Sequence, residues 1–130
     1  MDEMEPEIIG VDTMWDACRT YQHNRVGQAI CADVTYLPFR PLRQLFDIII
    51  GGPPCQPFSS LNTTGRRGKN HPAYDGVGLF LFWCAFYEPK VFVMENVPRL
   101  MNDHFYGPLL KRLCQKAEET LDAYFEKIRT

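Results

Sequence analysis

The stretch Gly51-Gly52-Pro53-Pro54-Cys55-Gln56-Pro57-Phe58-Ser59 follows directly on the apolar run Phe46-Asp47-Ile48-Ile49-Ile50. A short β-branched run closed by turn residues reads as a buried strand. The prolines fix φ and remove backbone donors, so no helix or ladder continues through them. Cys55 is thereby held on a rigid turn at a strand's carboxyl end, an awkward place for a packing residue. Forty residues later a second run, Lys90-Val91-Phe92-Val93-Met94, ends in Glu95-Asn96-Val97-Pro98. A nucleophile and a hydrogen-bonding carboxylate at the ends of neighbouring strands make a catalytic pair.

The rest of the chain fits that frame. Four apolar runs alternate with helical patterns, the signature of an α/β fold with a parallel, doubly wound sheet. The runs end near residues 12, 33, 51 and 95, and each end is polar or leads into the turn that carries Cys55. Ligands of open α/β sheets bind outside the carboxyl ends of strands, so these four ends are expected to converge. Helices are expected from Met14 to about His23, from Gly76 to about Tyr87, and from about 105 to 129. The second is apolar nearly all round, hence expected buried against the sheet, and Pro89 stops it. Along the third, Leu110, Cys114, Ala117, Leu121, Tyr124 and Ile128 step by 4, 3, 4, 3 and 4. That spacing suits either a cover helix packed on the sheet or a helix pairing with a partner chain. Between Phe58 and Tyr74 lies a polar loop, long for a strand-to-helix connection and therefore a candidate lid or binding loop.

At 130 residues the chain is one domain at most, and large enough for a real core. A net charge of −2 leaves no basic face of the kind nucleic-acid domains carry. Contact with DNA would then draw most phosphate contacts from another segment or subunit. Five cysteines, an odd count without paired spacing, exclude a zinc module by pattern and fit a reducing interior. Cys18, Cys31, Cys84 and Cys114 read as core or surface fillers, and the three histidines share no spacing. No metal is expected. The amino terminus is acidic and lacks an apolar signal core. The longest apolar run, Val77 to Tyr87, is about half of the ~20 residues a membrane span needs. A cytoplasmic protein without membrane contact is the expectation.

The Pro-Pro-Cys-Gln-Pro turn and the later Met94-Glu95-Asn96-Val97 resemble the two catalytic motifs of DNA (cytosine-5) methyltransferases. Gly10-Val11-Asp12 and Ala32-Asp33-Val34 resemble that family's cofactor-contacting segments, and Gly78-Leu79-Phe80 the opening of its next helix. The resemblance covers roughly residues 7 to 105. It implies a Rossmann-like S-adenosylmethionine-dependent methyltransferase fold, here an incomplete parallel sheet with flanking helices, the whole of residues 1–130 being part of a catalytic domain.

The implied chemistry uses a thiolate, because cytosine C5 alone is too weak a nucleophile to take a methyl group. Attack of Cys55 on C6 converts the ring to an enamine. Glu95, protonated or sharing a proton with N3, would hold N3 and the exocyclic amine. The resemblance also assigns Asp12 to the cofactor ribose and Asp33 to its adenine amine, with Pro53 and Leu79 bordering it. The family more often has glutamate where Asp12 stands. Pro54 and Asn96 would shape the site, and Gln56, Ser59 and Val97 would line the base. The target base must leave its stack, and the loop from Ser59 to His71 would close over it with Arg66, Arg67 and Lys69 on phosphates.

Plainer roles remain open for each residue. Cys55 may be read as an inert thiol, Glu95 as a carboxylate placed by a helix dipole, Asp12 and Asp33 as turn residues, and the arginines as a solvated loop. The family's opening strand with its Phe-x-Gly-x-Gly turn is absent, as are the downstream arginine motif, the target-recognition region and the closing segment. A sheet edge is then expected to be exposed. Three functional readings follow: a split or truncated DNA methyltransferase completed by a second polypeptide, a non-catalytic interaction module, or a tRNA cytosine-C5 methyltransferase.

Overall fold

The computed structural model describes residues 6–24, 27–37, 46–63 and 65–129, without the side chains of 121, 123–125 and 127–129. Its chain divides into two compact units, Met1–Leu42 and Arg43–Thr130. Leu45, expected at the start of the third strand, lies outside the described residues.

In the first unit β1 (Ile9–Asp12) leads into α1 (Trp15–His23) and then β2 (Gln28–Cys31). β1 and β2 pair in parallel, Asp12 opposite Cys31. The helix starts where it does because the Asp12 carboxylate accepts the Met14 backbone N–H at 2.7 Å, turning the chain out of the strand. Gly10 is needed here because a Cβ would stand 3.1 Å from the Tyr21 ring.

The second unit holds β3 (Ile48–Gly51), α2 (Gly76–Tyr87), β4 (Val91–Met94) and α3 (Tyr106–Arg129), with 3-10 turns at Gly68–Asn70 and Pro98–Asn102. β3 and β4 are parallel, with Gly51 opposite Met94. The four strands therefore pair two and two among the described residues. Alternation puts Ile49, Gly51, Phe92 and Met94 on one face of β3–β4. Phe80 of α2 packs there, its ring 6.1 Å from that of Phe92 and so close to Gly51 that a Cβ would stand 2.6 Å away. The opposite face, Ile48, Ile50, Val91 and Val93, is exposed. α2 also departs from the expectation of burial all round. Val77 and Cys84 are buried, but Phe82 and Phe86 are exposed, stacked on one another at 6.4 Å. The helix closes at Glu88 in a left-handed conformation (φ 47°), whose N–H returns to the Cys84 carbonyl before Pro89.

The core of this unit is small and lies directly behind the turn that follows β3. Phe58, Val77, Leu100, Tyr106 and Leu110 are buried, with Tyr74, Met94 and Val97 packed against them. Phe58, Tyr74 and Tyr106 form an aromatic triangle with centroids 5.1–6.2 Å apart. Asp103 opens α3: one carboxylate oxygen accepts the N–H groups of Phe105 and Tyr106 and the Tyr74 hydroxyl. Burial works to raise the Asp103 carboxyl, but these hydrogen bonds outweigh it and hold the group below its ordinary value. The first turn of α3 packs on the core, and residues 111–120 are exposed. Cys114 and Ala117 thus do not cover the sheet.

Candidate active site

β3 and β4 are neighbours and run the same way, so their carboxyl ends open on one edge. Residues 52–55 leave β3 without regular structure, and the chain then turns on itself: the N–H groups of Phe58 and Ser59 both reach the Cys55 carbonyl, at 3.0 and 2.9 Å. Burial of Pro57 and Phe58 anchors the turn, leaving the Cys55 thiol half-buried and unbridged. Glu95 is the first residue past β4. Its N–H bonds the Gly51 carbonyl at 3.0 Å, and its carboxylate is exposed. Gly52 lies beside that carboxylate, where a Cβ would stand 3.8 Å from a Glu95 oxygen, an ordinary contact distance.

Asn96 ties the two exits together. Its side-chain amide donates to the Pro53 carbonyl at 3.0 Å, while its oxygen accepts the Val97 N–H at 2.9 Å. The turn carrying Cys55 and the segment carrying Glu95 are thus joined by the strand ladder and by this bridge beyond its end. The start of α2 buttresses the same turn, since a Cβ on Gly76 would come within 2.9 Å of the Pro54 ring.

The polar loop folds back on this turn. The Gly68 N–H donates to the Pro57 carbonyl at 2.8 Å, and the Asn62 amide donates to the carbonyls of Gln56 (2.9 Å) and Arg66 (2.7 Å). Ser59 accepts the Leu61 N–H on its hydroxyl, and the Arg67 guanidinium reaches the Asn62 carbonyl at 3.5 Å. Arg66, Arg67 and Lys69 are exposed. The sequence gives Asn62 no role, since an asparagine in a polar loop carries no periodic signal, and the close approach of Pro54 to Gly76 appears only in three dimensions.

Asp12 and Asp33 belong to the first unit, at and just beyond the carboxyl ends of adjacent strands. Both are exposed, and each uses one oxygen on a backbone N–H, of Met14 and of Thr35 respectively. The Thr35 hydroxyl and N–H hold the Asp33 carboxyl below its ordinary value against slight desolvation. Two accessible carboxylates, each fixed through one oxygen, suit a ligand that offers hydroxyl and amine donors. Pro53 and Leu79 lie in the second unit, both half-buried. Among the described residues no group of three or more His, Cys, Asp or Glu could hold a metal, and no helix is long and apolar enough to cross a membrane.

Comparison with known proteins gives consistent matches. The family model for C-5 cytosine-specific DNA methylase matches residues 7–127. The Type II methyltransferase M.AplI of Arthrospira platensis is 34% identical over 91 residues, 70% of this chain and 25% of that protein. The Type II methyltransferase M1.HphI of Haemophilus parahaemolyticus is 34% identical over 118 residues, 86% of this chain and 32% of that protein. DNA (cytosine-5)-methyltransferase 1 of Mus musculus is 39% identical over 107 residues, 70% of this chain and 7% of that protein. The matched region is thus a third or less of each of these relatives.

Proposed function

This chain belongs to the C-5 cytosine-specific DNA methylase family, and on that premise we propose that it carries the nucleophile and the base-holding carboxylate for methylation of cytosine C5 in DNA. The observation that carries the reading is the Asn96 bridge. It ties the turn of Cys55 to the strand exit of Glu95, which supports a reading in which both act on one base.

The Cys55 thiolate forms a bond to cytosine C6, and the ring electron pair moves toward C5. Glu95, carrying a proton, hydrogen-bonds N3 and the exocyclic amine and offsets the negative charge that develops there. Loss of the C5 proton and expulsion of the Cys55 thiolate then restore the aromatic ring. S-adenosylmethionine supplies the electrophilic methyl group when bound. Asp12 would hold its ribose hydroxyls and Asp33 its adenine amine. Pro54, Gln56, Ser59, Asn96 and Val97 line the space for the flipped base, whose extrusion costs a few kcal/mol. Arg66 and Arg67 offer charge to phosphates from a loop anchored on the Cys55 turn. The family's remaining cofactor and target-recognition elements would have to be supplied by other segments, on the same chain or on a second polypeptide.

The family itself, and the mouse DNA (cytosine-5)-methyltransferase 1 among the relatives, favour DNA over tRNA as substrate. The test is transfer of a labelled methyl group from S-adenosylmethionine to duplex DNA and to tRNA, in the presence of candidate partners that supply the missing elements, with Cys55→Ser as control. Transfer to cytosine in DNA that vanishes in the variant is expected. Transfer to tRNA alone would replace the substrate, and cofactor binding without any transfer would favour a non-catalytic module.

A further inference from the structure

Two thiols outside the proposed catalytic pair meet at the carboxyl end of β1. Cys18, on α1, is buried and its thiol donates to the Asp12 carbonyl at 3.5 Å. Cys31, the last residue of β2 and the register partner of Asp12, is exposed and donates to the next carbonyl, Thr13, at 3.7 Å. Two consecutive carbonyls thus hold two thiols from different elements, Cys31 standing in register with the residue whose carbonyl Cys18 bonds. Burial is the main influence keeping Cys18 protonated, followed by the neighbouring Cys31 thiol.

We propose that Cys18 and Cys31 form a reversible redox pair, closed to a disulfide by a peroxide, that pins α1 to β2 beneath Asp12. The exposed and buried partners divide the chemistry between them. The Cys31 thiolate attacks the peroxide O–O bond, gives a sulfenic acid and releases water. Cys18 then attacks that sulfur, its proton leaving with the displaced hydroxide as a second water. Two S–H bonds are lost and one S–S bond is formed, while one hydrogen peroxide is reduced to two waters.

The geometry gives the bond a consequence. Cys18 bonds the Asp12 carbonyl and Cys31 the next one, while the Asp12 carboxylate sets the start of α1 through the Met14 N–H. A disulfide here draws the helix start toward β2 and shifts that carboxylate. Any effect on S-adenosylmethionine rests on the reading of Asp12 as a cofactor residue, whereas the disulfide does not.

The reduced chain is treated with hydrogen peroxide, its remaining thiols are blocked with iodoacetamide, and the digest is mapped by mass spectrometry. A peptide joining Cys18 to Cys31, lost on dithiothreitol treatment, is expected, with Cys55, Cys84 and Cys114 recovered alkylated. Recovery of Cys18 alkylated while Cys31 advances to sulfinic acid would overturn the proposal, as would linkage of either to another cysteine. In Cys31→Ser, a surface change, Cys18 should survive peroxide as a free thiol. A separate titration of S-adenosylmethionine into reduced and oxidised chain bears only on Asp12. A several-fold difference in affinity supports its cofactor role, and equal affinities remove it while leaving the mapped disulfide intact.

Discussion

Replacing Asn96 with alanine probes the joint on which the candidate site depends. The change removes a 3.0 Å hydrogen bond to the Pro53 carbonyl and a 2.9 Å bond from the Val97 N–H, both half-buried. Each such bond is worth about 0.5–1.5 kcal/mol net, and water can reach part of the site, so a loss of about 1–2 kcal/mol is expected. At about 1.5 kcal/mol per molar urea, that moves the unfolding midpoint down by about 1 M. Trp83 of α2 reports this unit by fluorescence once Trp15 of the other unit is replaced by phenylalanine. Asn96→Asp sharpens the test, because it keeps an acceptor for the Val97 N–H but turns a carboxylate oxygen on the Pro53 carbonyl. It should destabilise at least as much as alanine. Cys55 alkylation by iodoacetamide should also change rate in both variants, since the turn is no longer tied. An unchanged midpoint and alkylation rate in Asn96→Ala, or a milder effect from aspartate, would refute the bridge as the joint.

Tyr74 is pushed up to about 12 by burial first and then by its bond to Asp103. A raised folded-state value adds stability that is complete below the unfolded value of about 10 and is lost as pH climbs through 12. Alkaline unfolding of the wild type should therefore steepen across that window, and Tyr74→Phe should flatten it. Glu88→Gly relieves a left-handed backbone position and should stabilise by about 1 kcal/mol in urea titration. Gly76→Ala presses a methyl within 2.9 Å of the Pro54 ring; overpacking of that kind costs about 1–3 kcal/mol, readable in the same titration.

The elements of the chain were legible in its sequence to within a few residues. Ile9–Asp12, Gln28–Cys31, Ile48–Gly51 and Val91–Met94 all fall inside or against the expected runs, and Gly76–Tyr87 carries the expected helix bounds. β-branched runs closed by proline and glycine leave little alternative locally. What periodicity does not tell is what covers an apolar face. Phe82, Phe86, Cys114 and Ala117 are exposed for that reason, and so is the Ile48–Ile50–Val91–Val93 face. Pairing of strands is also a long-range choice, and the four runs give two two-stranded ladders. The Cys55 turn stood out in the sequence because proline and cysteine at a strand exit have few packing uses, and Glu95 because it closes the next such run. Asn62 acts through bonds to the carbonyls of Gln56 and Arg66, an arrangement of the loop backbone that no periodicity announces, and Asp103 meets the Tyr74 hydroxyl from 29 residues away.

The central claim, that Cys55 is the nucleophile toward cytosine, is tested most directly by trapping its adduct. The chain is incubated with S-adenosylmethionine and a short single-stranded oligonucleotide carrying 5-fluorocytosine, where no base need leave a duplex and the fluorine cannot depart as a cation. Digestion and mass mapping should find the oligonucleotide on the peptide containing Cys55, and nothing in Cys55→Ser. An adduct on the exposed thiols of Cys31 or Cys114, or no adduct at all, would contradict the account.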